Sequence, residues 1–129
     1  LFRSHRGIEL LTKIIASKNM NFTVSYTYLD PDNQTKSNPR HKFFAEANYS
    51  ISNVDIHFGV KQISKLYGDD YSRFELPDYT LIDSRVTYSP FKFFKVFVSA
   101  DNLLNQSYET MYGYTMPGRT YTIGFNLSY

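Results

Sequence analysis

The sequence predicts an all-β fold, an antiparallel up-and-down transmembrane β-barrel to which this chain contributes about seven strands. Apolar and polar residues alternate with a period of two along most of the chain, which indicates strands with one apolar face. No apolar stretch approaches the roughly 20 residues that a membrane-spanning helix requires. The connections between predicted strands alternate between short and long, a pattern typical of outer-membrane barrels.

The composition narrows the class of protein further. Twelve Tyr and eleven Phe make up the 18% aromatic content of the 129 residues, and with 20% charged residues this excludes a disordered chain. The absence of Cys excludes disulfide scaffolds, Cys-ligated zinc and thiol catalysis. A net charge of +2 is too small to indicate a nucleic-acid partner. The first six residues lack the apolar core of a signal peptide, so we expect either a removed signal or a chain that starts inside a protein.

The strands are predicted in order from the alternation. Between residues 22 and 28 the even positions are Phe, Val or Tyr and the odd positions are Thr or Ser, which is the clearest case. Alternation of the same kind, less regular at 7–17 and 94–104, predicts the rest. The seven predicted strands span residues 7–17, 22–28, 40–51, 54 to about 67, 79–89, 94–104 and 118–129.

The polar face of these strands fits either a soluble sheet or a barrel with a wet lumen. A soluble sheet would need a second layer to bury so many aromatic side chains, and no amphipathic helix is present to provide one. A barrel with lipid outside and water inside satisfies both faces, so we favour lipid contact over a soluble sandwich. The polar face carries Glu9, Lys13, Lys42, Glu46, Asp55, Lys61, Asp83 and Arg85.

The connections predict which end faces outward. Residues 18–19, 52–53 and 90–93 form short turns, and we expect Asn in the first two to adopt the positive φ of tight hairpins. Residues 30–39, 68–78 and 105–117 form long connections, which lie outside the cell in such barrels. With seven strands the chain would begin on the extracellular side, whereas an exported barrel begins in the periplasm, and both outermost strands would have unpaired edges. We therefore expect an incomplete barrel with further strands upstream.

The last predicted strand resembles the β-signal that the barrel-assembly machinery recognises in outer-membrane proteins. A polar residue, a Gly two positions on and alternating apolar residues end in a terminal aromatic. The alternative is an ordinary edge strand. The predicted signal comprises Thr122, Gly124, Phe125, Leu127 and Tyr129.

Several short motifs resemble the end of TonB-dependent outer-membrane receptors. They are D-N-L-L-N at 101–105, G-Y-T-M-P-G-R at 113–119, R-G-I-E at 6–9, P-R-H-K at 39–42 and L-I-D at 81–83. The resemblance implies the C-terminal part of a barrel of about 22 strands over residues 1–129, with the plug domain and earlier strands absent. It also implies a bacterial outer-membrane location and import of a scarce nutrient driven by the TonB complex. The branch it resembles most handles cobalamin and iron chelates, so a corrinoid, haem or siderophore is the expected cargo.

Two sets of residues within these motifs receive predicted roles. We expect Arg119 to make charge-assisted hydrogen bonds with Asp101 and Asn102 that fix the strand register. Gly118 is expected to permit close strand approach after Pro117. The structural motif comprises Asp101, Asn102, Leu103, Pro117, Gly118 and Arg119. Three tyrosines and a methionine of the last loop either contact a ligand in the outward vestibule or belong to an interfacial girdle, and both readings stay open for Tyr108, Met111, Tyr112 and Tyr114.

No metal, cofactor or catalytic site is expected. Five acidic or amide residues in the loops faintly resemble calcium ligands, but solvated loop charge is the favoured interpretation. The three histidines lack metal-ligand spacing, and no catalytic constellation is present, so an enzyme is not expected. The loop residues are Asp30, Asp32, Asn33, Asp69 and Asp70, and the histidines are His5, His41 and His57.

Three functions follow, in order of preference. The first is transport. The expected partners are outer-membrane lipid, the TonB complex through the missing N-terminal part, the barrel-assembly machinery through the C-terminal strand, and a small-molecule nutrient. The second is a truncated barrel held by the assembly machinery through residues 122–129. The third, a small passive barrel or adhesin, needs an even number of strands, which this sequence lacks.

Overall fold

The computed structural model describes residues 5–31, 38–69, 71 and 73–128, and the elements within these ranges are strands. Within them, no helix is long and apolar enough to cross a membrane. The strands are β1 (His5–Ser17), β2 (Met20–Pro31), β3 (His41–Ile51), β4 (Val54–Ser64), β5 (Leu66–Tyr67), β6 (Glu75–Leu76), β7 (Tyr79–Phe91), β8 (Phe94–Asp101), β9 (Glu109–Met111), β10 (Tyr114–Thr115) and β11 (Thr120–Leu127).

Seven long strands form one antiparallel sheet in the order β1-β2-β3-β4-β7-β8-β11. Each long strand pairs with the next one along the chain, so the predicted up-and-down arrangement is confirmed. The order is linear, and among the described residues β1 and β11 each pair with a single partner.

The register places most of the apolar residues of the seven strands on one face of the sheet. Val24 pairs with Thr12 and Ala45, and Val98 pairs with Val86 and Ile123. We call this the outer face and the opposite one the inner face. Outer-face side chains are largely exposed, with Ile123 77% accessible, and no second protein layer covers them within the described ranges. The expectation of a lipid-facing sheet rather than a soluble sandwich therefore agrees with the fold.

The short turns lie at Lys18–Asn19, Ser52–Asn53 and Lys92–Phe93, and we call this end of the sheet the turn end. The expectation that Asn adopts the positive φ in the first two tight turns is wrong, because neither Asn19 nor Asn53 has a positive φ. In the second turn the left-handed residue is the one before Asn53. There Ser52 has φ 51°, because the hairpin geometry fixes which turn position is left-handed whatever residue occupies it.

The opposite end, which we call the loop end, carries the long connections. Two of them contain short hairpins that the alternation did not predict, β5–β6 and β9–β10. The predicted strand 54–67 is divided because Lys65 has φ 57° and turns the chain out of the main sheet. The predicted strand 94–104 ends at Asp101, since Asn102 has φ 52°. The remaining long connection, residues 32–37, lies outside the described residues.

Candidate functional site

The loop end holds the main apolar cluster of the described chain, and it lies on the inner face. Ile63 and Tyr79 are paired across β4 and β7, and the short hairpin β5–β6 adds two leucines. Tyr108 packs onto this cluster, its ring 4.6 Å from that of Tyr79. The loops therefore fold over the inner face instead of extending into solvent. The buried members are Ile63, Leu66, Leu76, Tyr79 and Leu81.

Asn102 is the polar centre of the loop end, and its accessible fraction is only 4%. Its side-chain amide donates to the carbonyls of Gln106 at 2.9 Å and Pro117 at 3.3 Å, while its Oδ1 accepts the Gln106 N–H at 2.9 Å. Its own N–H donates to Oδ1 of Asp83 at 2.9 Å. Gln106 in turn accepts the N–H of Thr80 at 2.8 Å. Asn102 thus joins β7, β8 and both ends of the last loop.

A second asparagine of the D-N-L-L-N motif holds the start of β11. Asn105 has φ 52°, and its Oδ1 accepts the N–H of Arg119 at 2.9 Å. A Cβ on Gly118 would lie 2.6 Å from the same oxygen, so glycine is required for this approach. Among the described residues no ion pair joins Arg119 to Asp101. The predicted side-chain contact is wrong because Arg119 precedes β11 and is held through its backbone.

The two short hairpins contact each other at Gly68. The Gly68 carbonyl accepts the N–H of Tyr112 at 3.3 Å, and the Phe74 and Tyr112 rings stack at 4.1 Å. A Cβ on Gly68 would lie 2.7 Å from the Tyr112 nitrogen, so no other residue fits without displacement. Sequence reasoning missed this contact, although a lone Gly in a polar loop marks a position where another chain segment can approach.

The four predicted vestibule residues lie in different environments. Tyr108 is packed into the apolar cluster, and burial raises the pKa of its hydroxyl, so it stays neutral. One face of Tyr112 is covered by Phe74. Met111 and Tyr114 are exposed, Tyr114 at 67%, and so is the face of Tyr112 that Phe74 does not cover.

Three acidic residues at the loop end are paired with basic residues. Arg73 donates to Asp69 at 2.8 Å, and this hydrogen bond holds the pKa of Asp69 below its ordinary range. Lys65 donates to Glu75 at 2.7 Å, which holds the pKa of Lys65 above its ordinary range. Asp30 pairs with Arg40 at 3.4 Å. No group of metal-ligating residues occurs among the described residues, and Asp32, Asn33 and Asp70 lie outside them.

A pocket of about 240 Å³ opens on the inner face beside the apolar cluster. Lys42 of β3 and Lys61 of β4 line it from the polar face of the sheet, with Ile63 and Tyr79 as its apolar wall. Thr110 of the β9–β10 hairpin closes one side. Sequence reasoning placed both lysines on the polar face but assigned them no role. The sequence could have predicted that the two lysines lie close together, since they are on adjacent predicted strands near the same long connections.

Nearer the turn end, a row of polar side chains crosses the inner face. Asn48 donates to Asn21 at 3.2 Å, and its Oδ1 lies 2.8 Å from Nδ1 of His57. His57 pairs in register with Arg85, whose guanidinium lies 3.7 Å above the Phe97 ring. These contacts keep the inner face polar and ordered across five strands.

The predicted assembly-signal residues divide between the two faces of β11. Thr122 and Gly124 lie on the inner face, whereas Phe125 and Leu127 lie on the exposed outer face. A Cβ on Gly124 would lie 2.5 Å from Cζ of Phe97, so this glycine seats the aromatic ring of the neighbouring strand. The fifth member, Tyr129, lies outside the described residues.

Comparisons with known proteins agree with this architecture. Residues 3–103 match the family model described as TonB dependent receptor-like, beta-barrel. The ferrichrome outer membrane transporter/phage receptor of Escherichia coli (strain K12) is 30% identical over 97 residues, which cover 64% of this chain and 13% of that protein.

Solved structures of similar fold include three receptors for siderophores or ferric chelates. The siderophore receptor PiuA from Acinetobacter baumannii superimposes with a TM-score of 0.81 at 20% identity, over 98% of this chain and 22% of its own. The ferric-catecholate import receptor Fiu from E. coli K12 gives 0.77 at 16% identity, over 97% and 21%. The ferric yersiniabactin uptake receptor FyuA from Yersinia pestis gives 0.77 at 17% identity, over 96% and 23%. The chain therefore belongs to the TonB-dependent receptor β-barrel family of the bacterial outer membrane.

Proposed function

We propose that this chain forms part of the pore wall and part of the outward vestibule of a receptor. The receptor imports a ferric siderophore in a TonB-dependent manner. The observation that carries the proposal is the register of the sheet, which gives the seven long strands an apolar outer face and an inner face that is polar except for the apolar cluster at the loop end. Such a wall separates lipid from a water-filled lumen.

The nature of the cargo rests on the relatives. The four similar proteins are named for ferrichrome, siderophore, ferric catecholate and ferric yersiniabactin, all of them iron chelates or their carriers. This supports a siderophore over the corrinoid and haem that the sequence also left open.

We also propose that the chain supplies the last strands of a larger barrel, with the plug domain, the earlier strands and the segment that contacts TonB elsewhere in the polypeptide. The linear strand order supports this, because an open edge in lipid leaves backbone N–H and C=O groups without partners. The chain also spans only 13% of the curated relative and 21–23% of the solved ones.

Uptake of radioactive iron by cells tests the transport proposal. The whole receptor is expressed in a Gram-negative strain that lacks its own ferric-siderophore receptors, with and without a functional TonB complex. We expect ferric-siderophore uptake only when TonB is functional. Uptake that does not depend on TonB would contradict the proposal. So would a receptor that takes up cyanocobalamin or haem but no ferric siderophore.

A second proposal concerns assembly: β11 is the strand that the barrel-assembly machinery recognises. The edge of β11 away from β8 pairs with no described strand, and a free edge can accept a strand from another protein. Replacing Tyr129 with a charged residue should then impair membrane assembly while leaving synthesis intact. Unchanged heat-dependent migration of the full-length variant on gels would count against this role.

A further inference from the structure

We propose that the pocket between Lys42 and Lys61 binds the anionic part of the iron chelate, so that this receptor selects negatively charged chelates over neutral ones. The inference rests on the proposed function and specifies the chemical class of its cargo. The term lysine pocket is used below for the cavity lined by Pro39, Lys42, Lys61, Ile63, Leu66, Tyr79 and Thr110.

The two lysines are placed to act on one ligand. Lys42 pairs in register with Ile63, and Lys61 lies two residues before Ile63 on the same strand. The lysines are therefore diagonal neighbours on one face of an antiparallel pair, a spacing that long side chains bridge easily. Both line the same cavity, so both ammonium groups can reach a single bound group.

Neither lysine forms an ion pair with a carboxylate among the described residues. The closest acidic positions on the same face are Glu46 and Asp83, which pair in register with Gly59, two residues from Lys61. Asp83 accepts the N–H of Asn102. Neither carboxylate lines the pocket, so the positive charge of the two lysines is available there, whereas Lys65 and Arg73 at the loop end are held by Glu75 and Asp69.

The remaining lining suits the body of an aromatic or acyl chelate. Ile63, Leu66 and Tyr79 are buried and form a fixed apolar wall. Pro39 and Thr110 come from long connections, which places the cavity at the end of the sheet where ligands arrive from outside. An apolar wall with two cations fits carboxylate or catecholate oxygens carried on an apolar frame.

Binding measurements on the purified full-length receptor test the inference with two probes, an anionic ferric tris-catecholate and a neutral ferric tris-hydroxamate. In the double variant K42Q/K61Q we expect affinity for the anionic probe to fall about 10- to 100-fold, as for the loss of hydrogen bonds to a charged group. Binding of the anionic probe should also lose most of its salt dependence. The control K13Q removes an inner-face lysine of β1 that does not line the pocket, and should bind like the wild type.

Three outcomes would overturn the inference while leaving TonB-dependent siderophore import intact. The wild type could import the neutral chelate and bind the anionic one no better. The double variant could keep full affinity for the anionic probe. It could also lose affinity for a neutral chelate to the same degree, which would indicate a structural role. Failure of the wild type to take up either chelate would refute the proposed function itself, and the inference with it.

Discussion

Replacing Asn102 with alanine should release the last loop from the sheet. The side chain makes three hydrogen bonds, two to Gln106 at 2.9 Å and a longer one to Pro117 at 3.3 Å. At about 1 kcal/mol each, with the long bond counted as half, their loss costs about 2.5 kcal/mol. Alanine at φ 52° adds about 1 kcal/mol of backbone strain, whereas glycine adds none.

Cleavage by chymotrypsin reports this opening, because the backbone at Tyr112 and Tyr114 is held in the β9–β10 hairpin and must leave it before the protease can cleave there. When reclosing is faster than cleavage, the rate follows the population of the open loop. The free-energy losses then correspond to cleavage roughly 70-fold faster for N102G and several hundred-fold faster for N102A. The control N126A alters an exposed asparagine at the turn end and should behave as wild type.

Two results would refute the reasoning. Wild-type protection of the hairpin in N102A would show that the Asn102 hydrogen bonds do not hold the loop. Equal cleavage of N102A and N102G would show that the left-handed backbone at this position carries no cost.

Three further predictions concern the two glycine contacts and the loop charges. G68A should separate the hairpins and speed cleavage after Tyr112 about tenfold or more, since overpacking costs 1–3 kcal/mol, whereas G59A, whose Cβ would meet nothing closer than 3.5 Å, should not. G124A should lower the denaturant midpoint of the full-length barrel by displacing Phe97, and the same substitution made in F97A should lower it much less, whereas an equal loss in both backgrounds would disprove the contact. Loop 66–76 should resist protease equally from about pH 5 to about pH 9. The hydrogen bond between Asp69 and Arg73 is lost only as the pH falls through the lowered pKa of Asp69. The hydrogen bond between Lys65 and Glu75 is lost only as the pH rises through the raised pKa of Lys65. D69N should leave the loop less protected from protease over that whole range and should abolish the further loss of protection at acid pH. If D69N loses protection at acid pH as the wild type does, Asp69 is not the group responsible.

The seven long strands could be predicted because a half-exposed strand records its two environments at every second residue. The boundaries failed where a single left-handed residue turned the chain, as at Lys65 and Asn102. Neither event changes the pattern of polarity, so alternation continues past the true end of the strand. The hairpins β5–β6 and β9–β10 were missed because two or three residues are too few to show a period.

The site was less predictable, since its contacts join residues far apart in sequence. The D-N-L-L-N and P-G-R motifs were recognised, but the partner of Arg119 was not. Asp101 on the neighbouring strand suggested a bond to the Arg119 side chain. In the structure the backbone N–H of Arg119 donates to the Asn105 side chain instead. Tyr108 and Tyr114 looked alike in sequence, and only the fold shows that the first is packed on Tyr79 and the second is exposed.

The placement of the lysines separates a ligand role from a structural one. A slip of one residue between two strands would carry Lys42 or Lys61 to the outer face at the loop end, near the membrane interface, where a lysine costs at most about 1 kcal/mol. The two lysines therefore contribute little to the choice of register. In the native register both face the lumen, and replacing them with glutamine removes no described ion pair or hydrogen bond. The stability of the folded barrel should then stay unchanged in K42Q/K61Q, so any loss of binding in that variant reports on the ligand and not on the wall.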